Sequence, residues 1–522
     1  MPRRHEAGSL AAPLARWRGL AWPLGLAALA VTAALLWLPY LDIPLHVDAA
    51  GYATAAYWWA RGDTLYRDFT ITRPQGIFVV FRAIEALGLG SIRGIHAVAA
   101  VWTALCALAL AGVAARVWGR GIGLLSGFLF ALVMATPHLQ GFTVDAELFM
   151  LLPLLGGVAL LLWADDRPLG GAANCWLLAA CGLAGAVALL LKPSGVAALP
   201  FGALWMAHRW RVERAPWGAW LRAEAALGLG FAAGLAPAIV HGLLTVPDLY
   251  LNAVLFNRLA QDSALVASPA YQWHRFANNS AAILVRLPIL LLAAPGLWAA
   301  WRGRDARARD LLALWLVTSF GGAALGGNWY LHYYQQVLPP LAVAVALGLV
   351  AVARRPTSRL MVAGQGLALA GVVALGLTLA PLLAGPVDPA TLPEYEPVVS
   401  AVAPVAAYLR AHTAPDDTIY VAYDRADIYY LSERRPAARW LYFRELEWTP
   451  GAFVEQVVRL ADPATAPRYI VGAQDFDDYG FDGDAIRAVV ARDYTLETTI
   501  EGIPIYRRLD RPASGAATGR PE

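Results

Sequence analysis

Lysine is almost missing from this 522-residue sequence. Lys192 is the only one, and arginine supplies every other basic side chain counted. Charge of either sign is scarce: 15% of residues are Asp, Glu, Lys or Arg, against about a quarter in soluble domains. Hydrophobic residues make up 58% of the chain, and mean hydropathy is +0.50. Large soluble chains divide into domains with polar surfaces, so size does not explain this excess. An integral membrane protein does. Cysteine is scarce too. Cys106, Cys175 and Cys181 lie inside apolar runs without metal-ligand spacing, which argues against a disulfide framework or a zinc site. The net charge of +3 argues against nucleic acid as a partner.

What is present is a series of apolar runs. About 20 residues are needed to cross the hydrocarbon of a bilayer. Eleven runs qualify, at about 19–41, 94–115, 121–138, 147–163, 173–191, 194–208, 224–244, 280–301, 310–327, 334–353 and 360–382. The sixth is short enough to be a tilted or partial span. Arg3, Arg4, Arg16 and Arg18 precede the first run, which is longer than the core of a signal peptide and reads as an uncleaved helix. With the N-terminus in the cytoplasm, every inner loop is basic: Arg116 and Arg120; Arg167; Arg209 to Arg222; Arg302 to Arg309; Arg354 to Arg359. The first outer loop breaks the pattern with Arg61, Arg67, Arg73, Arg82 and Arg93. Either some of these hold phosphate, or a long translocated loop ignores the charge rule.

An odd number of spans puts the C-terminus outside. From about 385 the composition changes. Helix-like stretches at 398–412, 450–460 and 484–490 alternate with β-rich runs at 418–423, 439–443, 468–471, 494–499 and 503–506. The expected fold is a polytopic α-helical membrane protein of about 11 transmembrane helices with a small extracytoplasmic α/β domain. The expected division is a transmembrane unit at 1–384, whose first outer loop at 42–93 carries interfacial helices, an α/β domain at 385–510 and a disordered tail at 511–522.

Four outer loops carry candidate chemistry. Asp48 follows the first span and opens a helical pattern through Tyr52, Ala55, Ala56 and Trp59; it is either a reactive carboxylate or an N-cap. Asp145 and Glu147 share a side if the chain is extended, and can orient an acceptor hydroxyl or simply start the fourth span. Lys192 ends the fifth span and can pair with a lipid phosphate or snorkel to the interface. His332 and Tyr333 sit in an aromatic turn, where an aromatic belt alone does not require the histidine. No nucleotide-binding glycine motif follows a strand.

The residues after the first span, namely Asp48, Tyr52, Ala60-Arg61-Gly62, Leu65-Tyr66-Arg67-Asp68 and Arg73-Pro74-Gln75-Gly76, resemble the first outer loop of polytopic C-type glycosyltransferases. The nearest branch is glycosyltransferase family 39, the protein O-mannosyltransferase and aminoarabinose-transferase-like group. The 143–147 loop, the run from Gly185 to Lys192 and the turn from His332 to Pro339 resemble it too. The resemblance spans about 20–380 and implies an inverting transfer from a polyprenyl-phosphate-linked sugar on the outer face of the plasma (inner) membrane. It implies Asp48 as base or orienting carboxylate for a glycan, lipid or protein acceptor. The family often has Glu directly after this Asp; here Ala49 stands there, so Asp145 or Glu147 is the expected second carboxylate. Lys192, Arg73 and Arg67 are the expected donor-phosphate ligands, and Tyr52, His332 and Tyr333 the expected substrate-binding residues. No cofactor or metal ligand is expected, although a divalent cation stays open. The competing class is a transporter or flippase of a lipid-linked sugar. Its repeated halves and mid-membrane charges are not evident in the sequence.

Overall fold

The computed structural model describes residues 11–69, 73–247, 250, 268–353, 359–392 and 399–509. The tail at 511–522 and most of the 245–279 loop lie outside the described residues. Helices dominate. In chain order they begin with α1 (Ala11–Leu35), α2 (Val47–Trp59), α3 (Gln75–Ala86), α4 (Ile92–Trp118), α5 (Arg120–Met134), α6 (Ala146–Ala164) and α7 (Ala172–Leu191). They continue with α8 (Ala198–Glu213), α9 (Trp217–Thr245), α10 (Pro269–Arg286), α11 (Ala293–Arg302), α12 (Ala306–Ala324), α13 (Leu338–Val352) and α14 (Arg359–Ala384).

Six stretches are long and apolar enough to cross a bilayer: Leu20–Tyr40, Ile92–Trp118, Ala146–Ala164, Ala172–Leu191, Trp217–Thr245 and Met361–Ala384. The other five expected spans are helical but shorter, more polar or broken. α5 and α13 have 15 residues each. The 280–301 run is not one straight helix: the chain bends by 98° between Arg286 and Pro288. Pro288 has no N–H to continue the helix, and its ring disfavours helical backbone in Leu287. Length and composition therefore support six full spans, or seven if the bent pair is one.

α4 and α6 form the interior of the bundle, with 56% and 61% of their apolar windows buried, against 17% for α9. Leucines such as Leu229, Leu244 and Leu377 stay on the outside of the helices. Such a surface suits hydrocarbon, where helices satisfy their own backbone.

Beyond the bundle come α15 (Val399–His412), β1 (Thr418–Val421), α16 (Ala426–Ser432), β2 (Arg435–Pro436), α17 (Phe443–Trp448), α18 (Ala452–Ala461), β3 (Tyr469–Val471), α19 (Gly483–Asp493), β4 (Tyr494–Ile500) and β5 (Ile503–Arg508). The sheet order is β2-β1-β3-β5-β4. β1 runs parallel to β2 and β3, pairing Ile419 with Tyr469, while β5 is antiparallel to β3 and β4. Glu501 and Gly502, both at positive φ, turn β4 into β5, as a two-residue hairpin requires. The expected strand at 439–443 does not form. β2 stops at Pro436, and the Phe443 amide donates to Asp424 Oδ1 at 2.9 Å instead of to a neighbouring strand.

This C-terminal unit packs on the first loop. Thr54 Oγ1 donates to the Ala426 carbonyl at 2.9 Å, and Arg435 pairs with Asp63 at 2.5 Å. Consequently α2 is not a surface helix: every residue from Ala49 to Ala56 is buried. Its run of alanine and glycine lets neighbours close in on several sides. Nor is Asp48 the cap of α2. His46 holds that position, without a side-chain capping bond, and Asp48 lies in the first turn.

Candidate active site

Two arms meet at one end of the bundle. The first is the loop carrying α2 and α3. Asp48 Oδ1 lies 3.6 Å from an Arg73 terminal nitrogen, and Arg73 Nε donates to the Tyr52 hydroxyl at 3.1 Å. Tyr52 follows Asp48 by four residues, so both face Arg73 from one side of α2. Tyr66 anchors the far side by donating to the Arg73 carbonyl at 2.7 Å. Pro74 caps α3, and a Cβ on Gly76 would sit 2.6 Å from the Leu190 carbonyl carbon and oxygen. Glycine is therefore required for α3 to start against the last turn of α7. That close approach sets Arg73 beside the residue that ends α7, Lys192.

The second arm comes from the start of α6 and the turn before α13. Lys192 Nζ pairs with Glu147, and His332 Nε2 lies 3.4 Å from the same Glu147 oxygen. The Tyr333 ring lies 4.6 Å from the Lys192 ammonium, a cation–π distance. His332 Nδ1 and its backbone amide both contact Gln140 Oε1, at 2.7 and 3.2 Å. Asp145 caps α6 in position but not by its side chain. Its Oδ2 accepts from Thr143 Oγ1 at 2.6 Å, and its Oδ1 lies 3.5 Å from His46 Nδ1. Between them Val144 adopts φ +57°, a strained conformation for a β-branched residue. The loop is held there by Gln335, whose amide donates to the Leu139 and Gln140 carbonyls.

The three carboxylates differ in access. The Asp145 and Glu147 side chains are 1% and 2% exposed, whereas Asp48 keeps 24%. Burial opposes ionisation of Asp48, but Arg73, then His46, Lys192 and His332, outweigh it and hold the carboxyl below the ordinary range. Burial pushes His332 below the ordinary imidazole value despite the pull of Glu147. Burial raises the Tyr52 phenol, which keeps its proton.

The expected site residues thus converge, with one exception. Arg67 is 60% exposed and pairs with Asp68 at 3.1 Å, away from this cluster. Tyr66, at φ +71°, turns the chain so that its own ring stays buried and Arg67 points outward. His46 and Gln140 belong to the cluster but were not expected from sequence. Among the described residues, no group of His, Cys, Asp or Glu is arranged to hold a metal ion. A small apolar crevice of ≈ 30 Å³ lies between α6, α7, α8, α12 and α13, lined by Leu151, Leu155, Val158, Phe201 and Trp315. Its polar lining is Thr318, Ser319 and Gln336, and the Gln336 amide donates to the Ser194 carbonyl at 3.0 Å.

This helical bundle with its appended sheet is the polytopic C-type glycosyltransferase fold. ArnT from Cupriavidus metallidurans, solved bound to undecaprenyl phosphate, matches it with a TM-score of 0.65 at 17% identity, covering 96% of this chain and 100% of that one. The archaeal oligosaccharyltransferase AglB from Archaeoglobus fulgidus, solved with an inhibitory peptide and a dolichol-phosphate, gives 0.52 at 14% identity, over 93% of this chain and 75% of that one. The arabinofuranosyltransferase AftD from Mycobacteria gives 0.50 at 16%, over 92% and 40%. No family model matches the chain, and no curated protein matches its sequence.

Proposed function

We propose that this protein is a multi-pass membrane glycosyltransferase. It moves a sugar from a polyprenyl-phosphate donor to a glycan, lipid or protein acceptor on the extracytoplasmic side. The observation that carries the reading is the convergence of Asp48, Arg73, Lys192, Glu147 and His332 from separate loops at one end of the bundle. The arginine-rich loops at the other end support a cytoplasmic N-terminus.

The isoprenoid tail lies along the apolar outer faces of the helices, where leucines such as Leu229 and Leu244 are exposed. Lys192 and Arg73 take the donor phosphate. Glu147, too buried to meet an acceptor, holds the Lys192 ammonium in place. Asp48 is the accessible carboxylate and stays ionised, so it accepts the proton of the acceptor hydroxyl. The hydroxyl oxygen bonds to the anomeric carbon as the bond from that carbon to the phosphate oxygen breaks. Attack opposite the leaving group inverts the anomeric centre. The electron pair leaves on polyprenyl phosphate, its charge met by Lys192 and Arg73. Asp145, as buried as Glu147, holds His46 beside this space.

The test uses the full chain in proteoliposomes with a radiolabelled polyprenyl-phosphate sugar. Transfer of label to an acceptor is expected, and its loss in Asp48→Asn. Movement of label across the bilayer without transfer would mark a flippase instead.

A further inference from the structure

The C-terminal unit reaches the turn that carries the candidate base through the Tyr442 side chain. Tyr442, in the irregular segment before α17, is 7% exposed. Its hydroxyl donates toward the backbone carbonyls of Val47 and Asp48, at 3.1 and 3.0 Å. The space it occupies exists because position 51 is glycine. A Cβ there would lie 1.6 Å from the Tyr442 hydroxyl oxygen and 2.3 Å from the carbon bearing it. No side chain caps the start of α2. The phenol therefore grips the one turn of α2 that holds Asp48.

We propose that Tyr442 is a positioning residue for Asp48, so that the C-terminal unit completes the transfer site by fixing the first turn of α2. This rests on the reading of Asp48 as the accepting carboxylate. The bonds of its hydroxyl go to backbone carbonyls of this turn, so they set the direction of the carboxylate. The geometry is specific: Gly51 faces the phenol, while Asp48 and Tyr52 face Arg73. Other ties between the two units, among them Thr54 to Ala426, Asp63 to Arg435 and Tyr430 to Glu85, lie further along the loop.

Tyr442→Phe removes the hydroxyl and keeps the ring. In full-length protein in proteoliposomes, kcat for sugar transfer is expected to fall about 10-fold, the scale of a lost hydrogen bond plus a small misalignment. Donor KM and the melting temperature are expected to stay near wild type, a split that a merely structural role would not give. Gly51→Ala displaces the same hydroxyl from the other side and is expected to lower kcat at least as much. Turnover of Tyr442→Phe within twofold of wild type would overturn the proposal. So would a fall in melting temperature with a matching rise in KM. Asp48→Asn separates the two levels: if it turns over normally, the reading of the base fails; if it is inactive while Tyr442→Phe is normal, only the positioning role fails.

Discussion

Helix α6 carries acidic residues at both ends, and the surroundings of the two ends differ. Past its C-terminal end, Asp165 is 2% exposed. Trp205 Nε1 lies 3.0 Å from each of its oxygens, with Arg307 at 2.6 Å and Arg209 at 3.3 Å. Arg209 goes on to bond Glu213 and the carbonyls of Ala164 and Arg167. Both Asp165 oxygens are met by protein donors. At the other end, 19 residues or about 28 Å away, Asp145 Oδ1 is buried without a hydrogen-bond partner among the described residues. Asp48 beside it remains partly exposed. Buried polar groups are normally paired, and an unpaired one calls for a reason. A saturated network braces the helices; under the proposed function the unsaturated one is where substrate binds.

The largest expected effect separates the ends directly. Asp48→Asn lowers transfer by about 10²–10⁴-fold, the usual worth of a placed general base, without changing the melting temperature. Asp165→Asn does the opposite: it weakens the brace by about 1–3 kcal/mol and leaves turnover per folded molecule within twofold. Thermal unfolding in detergent and a transfer assay on the same preparations decide the matter. Comparable turnover loss in both variants would erase the distinction.

A second comparison lies inside the site. Lys192→Met strands Glu147 as a buried unpaired charge and is expected to destabilise the protein by about 3–5 kcal/mol. Adding Glu147→Gln should restore most of that stability and none of the transfer. Recovery of transfer in the double variant would remove Lys192 from phosphate binding.

The electrostatics sharpen this further. Arg73 is the leading favourable influence on the Asp48 carboxylate. A depressed carboxyl works as a base above its own pKa, so activity fails only as pH falls through that value. Removing Arg73 raises the value, so in Arg73→Met the acidic limb of the pH–rate profile should move to higher pH by about a unit or more. An unmoved limb would mean that Asp48 does not titrate in it. The smallest effect expected is that of a chelator. With two basic side chains to meet the phosphate, transfer should survive EDTA; loss restored by Mg²⁺ or Mn²⁺ would place a cation in the site.

Much of this arrangement was legible in the sequence because the membrane makes polar residues conspicuous. A lone lysine after an apolar run and an aspartate just past the first span stand out against hydrocarbon-compatible surroundings. The helices that reach full span length were equally visible, since 20 apolar residues leave a clear signature. The shorter runs were not distinguishable from spans, because the 98° bend before Pro288 is set by backbone geometry and not by hydropathy. Arginines counted as topological markers turned out to include Arg209 and Arg307, both bound to Asp165. Arg67 lies apart from the cluster because nearness in sequence to Arg73 does not survive the turn at Tyr66. His46 lies two residues before Asp48 and could have been found. Tyr442 could not: its contact with the first loop spans 394 residues of chain and rests on Gly51, whose missing side chain carries no sign of its partner.

The most direct measurement is a structure of the full-length protein with polyprenyl phosphate bound. The phosphate is expected in contact with both Lys192 and Arg73, the tail along the apolar helices, and Asp48 facing the space where the sugar would hang. A phosphate held elsewhere, at the Asp165 end or out of reach of both cations, would contradict it.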